Sequence, residues 1–383
     1  MSQTDLALDR EFPLDPDLAY LNHAGVGPWP RRAQEAVARF ALENIRQGSE
    51  RYPEWLATEQ RLRERLARLI GAAAPEDIAL AKNTSEALSV IGYGLDWQAG
   101  DTIVGIAQEF PSNRMVWESL AERGVGYRTL DLDAARDPEA DLLALCDRHT
   151  RLLAVSWIQY ARGRRLDLAR LGAACRARGI LLCVDAIQGL GALPFSLADS
   201  QADFVVADGH KWMLGPEGLA LLYVRPELRE RIRLHQFGWH MTEHRGDFER
   251  TDWSPARDAR RFECGSPNLL GTYALEASLS LLEEVGAAGV QRALEARVEY
   301  LIERLDRAGL ELLSPRDPAL RAGIVTFRAP GADHAALYRE LAARRVVCIP
   351  RGGGIRFSPH FYTPFAALDR AVETVVERLA GRS

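Results

Sequence analysis

The sequence holds almost no lysine: Lys82 and Lys211 are the only two among 48 basic residues, and the rest are arginine. Chemistry that needs a free amine is thereby confined to two positions, because a guanidinium does not deprotonate in a protein. Cysteine is also sparse. Its five copies, Cys146, Cys175, Cys183, Cys264 and Cys348, form neither a CxxC pair nor an even-numbered framework, which argues against a disulfide-stapled scaffold and a cysteine-held zinc site. Cys175 and Cys183 lie in apolar stretches and read as small core residues. No apolar run approaches the roughly 20 residues of a membrane span. The first twenty residues lack a basic segment leading into an apolar one, so no secretory leader is expected and the chain reads as cytoplasmic. Positive charge is not in excess: the formal net charge of −5 gives no general attraction for nucleic acid. What the chain does have is length and apolar content, 383 residues at 47% hydrophobic, enough for a large core.

Strand-like apolar runs at 78–81, 102–107, 152–158, 180–185, 204–207 and 219–224 alternate with helical patterns such as Thr84–Leu95, Pro138–Asp147 and Leu168–Arg178. This alternation predicts an α/β protein with a mostly parallel sheet covered by helices on both faces. Pro30–Gly48 and Glu54–Ile70 read as two outer helices that precede it. From about Thr272 the pattern changes to long helices, Tyr273–Val285 and Ala288–Ala308, then short strands near 323–328 and 345–349, and a last amphipathic helix from about Pro364. The expected organisation is a large α/β domain over 21–271 and a smaller α+β domain made of 1–20 and 272–383.

Lys211 follows the apolar run Phe204-Val205-Val206-Ala207, a buried strand end where an ammonium without a chemical task would be costly. A desolvated amine is the group that condenses with an aldehyde, so Lys211 is the candidate Schiff-base residue. Upstream, Leu181-Leu182-Cys183-Val184-Asp185 is a second apolar run that ends in a carboxylate, 211 − 185 = 26 residues earlier. A carboxylate facing a pyridine nitrogen keeps that ring protonated and so makes it an electron sink. Lysine and aspartate together point to pyridoxal 5'-phosphate, with Gln188 a donor to the cofactor's ring oxygen. The loop Asn83-Thr84-Ser85-Glu86 opens a helix whose free N–H groups suit a phosphate, Thr84 or Ser85 serving as cap.

The segments Val184-Asp185-Ala186-Ile187-Gln188-Gly189, Ala207-Asp208-Gly209-His210-Lys211-Trp212 and Arg261-Phe262-Glu263-Cys264-Gly265-Ser266-Pro267-Asn268 resemble those of class V aminotransferase-fold enzymes. That family includes cysteine desulfurases, selenocysteine lyases, kynureninases and isopenicillin N epimerase-like proteins. The resemblance runs from Tyr20-Leu21-Asn22-His23-Ala24-Gly25 to Ile355-Arg356-Phe357-Ser358-Pro359 and implies the fold-type I, pyridoxal-phosphate-dependent transferase fold. By resemblance, Thr84, Ser85 and His210 hold the phosphate, while Gly265 and Ser266 reach the phosphate of the other subunit, which implies a homodimer with shared sites. Phe110 stacks on the cofactor ring where desulfurases carry histidine. Arg356 grips the α-carboxylate of an amino-acid-like substrate with two parallel hydrogen bonds. Asn22, His23, Gln159 and Tyr160 border the same pocket.

Two departures from the family bear on the reaction. Relatives often place a phosphate-donating serine where this chain has Asp208, and a carboxylate does not donate, so Asp208 is expected to orient a neighbouring donor. Desulfurases also carry a nucleophilic cysteine on a mobile loop before the carboxylate arginine. Here that stretch is Pro350-Arg351-Gly352-Gly353-Gly354, and Cys348, just before it, reads as a buried strand residue. Persulfide transfer is not expected; the triple glycine is read as a close approach to substrate. The leading expectation is a lyase or epimerase acting through a carbanion at Cα, with a class V transaminase and a kynureninase-like hydrolase as alternatives. Gly189-Leu190-Gly191 raises a nicotinamide-binding dehydrogenase as a reading from another class, weakened by the missing third glycine. His235, His240 and His244 fall within ten residues, and are read as a loop near the pocket mouth rather than as a metal site.

Overall fold

The computed structural model describes residues 8–380; the first seven residues, part of the expected small domain and of the segment read for a secretory leader, lie outside the described residues. Near the start, Ala19–Tyr20 (β1) is a two-residue strand. A seven-stranded sheet then takes Ile78–Ala81 (β2), Thr102–Ile106 (β3), Gly126–Leu130 (β4), Thr150–Ser156 (β5), Leu181–Asp185 (β6), Phe204–Asp208 (β7) and Ala220–Val224 (β8). Its order is β2-β8-β7-β6-β5-β3-β4, and every neighbouring pair is parallel except those made by β8. Strands β3, β7 and β8 are buried at every position, which is why their sequences are continuous apolar runs with no alternation. Strand β4 has no counterpart among the expected elements. It is an edge strand with largely exposed residues, Gly-Tyr-Arg-Thr-Leu, and so carries no apolar run to find.

Helices Thr84–Gly94, Pro138–Leu145 and Leu168–Arg178 cross between strands, each entered through a side-chain cap, Asn83, Asp137 and Asp167. A second, four-stranded antiparallel sheet follows in the order β12-β13-β10-β9. Its strands are Glu311–Leu312 (β9), Val325–Arg328 (β10), Ile349–Arg351 (β12) and Gly354–Phe357 (β13), while Val346–Val347 (β11) pairs in parallel with β1. That pairing ties residues 19–20 to the carboxyl-terminal part of the chain. Helix His334–Ala343 was not among the expected elements; it buries only Leu337 and Leu341, too short a stripe to read from sequence. The expected boundary near 272 falls inside helix Leu269–Val285, which packs against helices Arg31–Gln47 and Tyr52–Ile70. No helix among the described residues is long and apolar enough to cross a membrane.

One buried ionic knot joins these layers. Arg63 donates to both oxygens of Glu263 (2.6 and 2.7 Å), to Glu59 (2.8 Å) and to the carbonyl of Ile78 (2.7 Å), and Glu263 also accepts from Leu80 N–H. The knot fixes helix Tyr52–Ile70 and β2 against the segment that leads into Gly265. Removing one member of a buried ion pair leaves its partners charged in low dielectric. Arg63→Ala is therefore expected to lower the unfolding free energy by about 3–5 kcal/mol in urea titration. A loss below about 1 kcal/mol would show that the knot contributes specificity and little stability.

Candidate active site

The carboxyl ends of β3, β5, β6 and β7 open into a cavity of about 470 Å³. This is where an open α/β sheet collects functional groups, since the loops that leave parallel strands converge there. The loop after β3 supplies Phe110 and Ser112, the loop after β5 supplies Tyr160, and β6 ends in Asp185 with Ile187 and Gln188 beyond it. Strand β7 ends in Asp208, followed by His210 and Lys211. Asn83, Thr84 and Ser85 face the cavity from the helix they open, and Ile349, Arg351 and Arg356 reach it from the second sheet.

Lys211 is buried, with its amine 5.5 Å from the centroid of the Phe110 ring. Among the described residues no hydrogen bond or ion pair occupies that amine. Burial pushes it down to about 8, Asp185 pulls it back, and the charges of Arg356 and Arg351 press the same way as burial. A minor share of the amine is therefore neutral near pH 7, and the share grows as pH rises through about 8. The surrounding backbone is tightly held: a Cβ on Gly27 would come within 2.3 Å of the Lys211 carbonyl oxygen, so only glycine fits there. The buried Trp212 indole donates to Gln188 Oε1 (2.8 Å), and His360 bonds the Trp212 carbonyl (3.0 Å). Asp185 is buried as well, and desolvation raises its carboxyl to about 6 despite the N–H it accepts from Ile187 (3.0 Å) and the nearby Lys211 charge.

The anion-binding end differs from expectation in its cap. Asn83, not Thr84 or Ser85, caps the helix by accepting from Glu86 N–H (2.9 Å), because its side chain precedes the first helical residue. Thr84 Oγ1 instead accepts from Asp208 N–H (3.1 Å), and Ser85 Oγ donates to Ser112 Oγ (2.7 Å). His210 Nδ1 stands 2.9 Å from Asp208 Oδ1 at ion-pair distance, though neither atom has a well-aligned hydrogen bond. Asp208 thus lies beside the His210 ring without a well-aligned hydrogen bond to it.

At the opposite wall Arg356 is 3% exposed and has no carboxylate partner among the described residues. It donates to Tyr160 O (2.6 Å) and Asn22 Oδ1 (3.3 Å), while its Nε is buried with nothing to bond. Burial first, then the Arg351 charge, lowers it to about 10. Asn22 therefore holds the arginine and is not itself a cavity wall.

Several expected pocket residues lie elsewhere. His23 is fully buried, bonded to Ser358 O (2.9 Å) and Tyr362 Oη (2.8 Å), and burial lowers it to about 4; Ala24, Gly25 and Val26 line the cavity in its place. Gln159 closes the turn after β5, accepting from Ala161 and Arg162 N–H and donating to Gln108 O. Gly265 and Ser266 are not walls of their own chain's cavity, and Ser266 is exposed. Gln188 does face the cavity, with its amide already bonded to Ala24 O and Trp212. The triple glycine forms no cavity wall: Gly352 and Gly353, at φ +59° and +84°, make the two-residue turn between β12 and β13, and Gly354 backs onto Phe327 O. Gly189 and Gly191 are packing glycines against Trp157 and Trp212 rather than a phosphate loop.

None of the five cysteines lines the cavity, and burial pushes Cys348 up to about 12. Of the three clustered histidines none lines it either; His235 bonds Tyr93 O and His240 is buried beside Glu59 and Glu263, an acidic pair already bound by Arg63. Ser112, Glu217 and Arg351 are cavity walls that the sequence reading missed.

A seven-stranded, mostly parallel sheet with Lys211 and Asp185 at its carboxyl edge has the architecture of an α/β enzyme. The model of the family described as aminotransferase class-V matches residues 19–357, and the chain belongs to that family. It is 31% identical over 379 residues to an isopenicillin N epimerase from Streptomyces clavuligerus, covering 94% of this chain and 95% of that one. A probable cysteine desulfurase from Pyrococcus abyssi is 28% identical over 333 residues, 84% of this chain and 81% of the relative. The solved structure of a cysteine desulfurase from Thermococcus onnurineus NA1 superposes with a TM-score of 0.90 at 23% identity, over 100% and 99% of the two chains.

The cofactor is pyridoxal phosphate, and the residues present fit it: Lys211 and Asp185 are buried and face the cavity, and among the described residues neither is held in an ion pair. With an unfolded-state value near 3.9 and a folded value near 6, Asp185 binds its proton more tightly in the folded chain. Its ionisation therefore costs stability as pH rises through that window. Cofactor-free Asp185→Asn is expected to be more stable than the native chain by roughly 2–3 kcal/mol near pH 7.5 and equal to it near pH 4, by urea unfolding. An Asn variant less stable at pH 7.5 would mean that Asp185 is held charged without penalty.

Proposed function

We propose that the protein is a lyase or epimerase of α-amino acids, and the observation that carries this is Arg356. A buried guanidinium with no carboxylate of its own is costly unless an anion arrives to pair with it. Its planar fork suits a carboxylate, and it faces the same cavity as the Lys211 amine. A ligand with an α-carboxylate on Arg356 would then present its amine and Cα toward Lys211.

Pyridoxal phosphate, when bound, supplies an electron sink that acidifies the Cα proton. Asp185 would sit against the ring nitrogen and hold it protonated, and Thr84, Ser85, His210 and the helix N-terminus would hold the phosphate. Phe110 supplies a flat face and no proton carrier, which leaves Lys211 to take the Cα proton; a proton returned to that same face restores the original α-centre, so inversion needs a proton delivered from the opposite face. No cavity cysteine is available among the described residues for attack on a substrate sulfur, so any sulfur leaves by elimination. Gly265 and Ser266 would complete the phosphate site of a second copy, making the working unit a homodimer, and the protein is read as cytoplasmic.

Incubation of the loaded protein with a panel of amino acids, followed by product analysis, tests this. Pyruvate with ammonia, or an inverted α-centre, is the expected outcome, and Arg356→Ala should lower kcat/KM by at least about tenfold. Accumulation of a keto acid that requires an amino acceptor would overturn the reading in favour of a transaminase.

A further inference from the structure

We propose that Arg351 is a specificity-determining residue that grips a second anionic group, so that the substrate is an amino acid carrying another carboxylate or equivalent oxyanion on its side chain. The proposal rests on the reading of Arg356 as the α-carboxylate site and adds the other end of the molecule.

The register of the β12–β13 hairpin is the starting point. Arg356 pairs with Ile349, and Arg351 pairs with Gly354 across the two-residue Gly352-Gly353 turn. Directly opposed residues of an antiparallel pair project to the same face, and so do residues two apart on one strand. Ile349, Arg351 and Arg356 therefore share one face, and all three are walls of the cavity. Arg351 and Arg356 are diagonal neighbours on that face, a relation that sets side chains roughly 7–8 Å apart at their bases.

Two guanidinium groups on one face repel each other, and the groups around them are neutral ones. Among the described residues no carboxylate is in ion-pair contact with either one. Arg351 lies instead with its charge 5.9 Å from the ring centroid of Tyr160, the residue whose carbonyl accepts from Arg356. The hairpin is rigidly placed: Gly354 is pressed against Phe327 O, and Arg162 Nε donates to Gly352 O (3.0 Å). A fixed pair of unpaired cations on one wall is complementary to two anionic groups joined by a short chain. One carboxylate engages the buried Arg356, and the second meets the exposed Arg351.

Ligands without an amine isolate this recognition from the chemistry. Calorimetric titration of the full-length, pyridoxal-phosphate-loaded protein would compare glutarate with butyrate, in the native chain and in Arg351→Met, Arg351→Lys and Arg356→Met. The expected result is at least about tenfold tighter binding of glutarate in the native chain. Arg351→Met should bring glutarate to the level of butyrate without changing butyrate, Arg351→Lys should restore part of the difference, and cofactor affinity should stay constant. Equal binding of the two acids in the native chain, or a glutarate advantage that survives Arg351→Met, would overturn the proposal while leaving the α-carboxylate reading intact. A fall in cofactor affinity in Arg351→Met, with the glutarate advantage kept, would overturn it by assigning Arg351 to the phosphate. If Arg356→Met leaves both acids bound as before, the α-carboxylate reading fails as well.

Discussion

Charge held away from water without a direct ion pair is the constraint on which this site depends. Lys211, Asp185 and Arg356 are all buried in or beside one cavity, and each is shifted from its ordinary protonation range chiefly by desolvation. In a finished core such groups would be paired and inert. Here Lys211 keeps a free amine, Arg356 keeps an unsatisfied Nε, and Asp185 keeps a carboxylate poised between its two forms. The same cost that makes the cofactor-free chain less stable makes the groups reactive toward an aldehyde, a pyridine nitrogen and a carboxylate.

The rest of the fold meets that cost by holding the carriers still. Asp185 and Asp208 close adjacent parallel strands, so the sheet sets their separation, and the turn that follows β7 brings Lys211 over the strand ends. Gly27 against the Lys211 carbonyl and Trp212 between Gln188 and His360 fix the backbone on both sides of the lysine. Arg356 arrives from a different sheet, anchored by Asn22 and Tyr160. The binding wall and the reacting wall thus belong to separate layers, and the cavity lies between them.

Much of this was legible in the sequence because the decisive residues are locally conspicuous. Lys211 stands out in an arginine-rich chain, and Asp185 ends a continuous apolar strand; both give a local signal that needs no tertiary knowledge. Arg351 gave none, since it is one of many arginines and only the hairpin register turns it toward the cavity. His23 was misplaced for the complementary reason: its neighbours in sequence suggested the pocket, but its partners Ser358 and Tyr362 lie more than 330 positions away. The cap at Asn83 was missed by one position, and β4 was missed because an exposed edge strand lacks the apolar run by which its buried neighbours were found.

One desolvated amine, on Lys211, is the group proposed to anchor the cofactor. Reduction of the pyridoxal-phosphate-loaded protein with borohydride, followed by peptide mass spectrometry, tests it directly, and the second lysine serves as the internal control. A pyridoxyl adduct on Lys211 alone, with Lys82 unmodified, is the predicted result. An adduct on Lys82, or no adduct on either lysine after loading, would rule out Lys211 as the anchor.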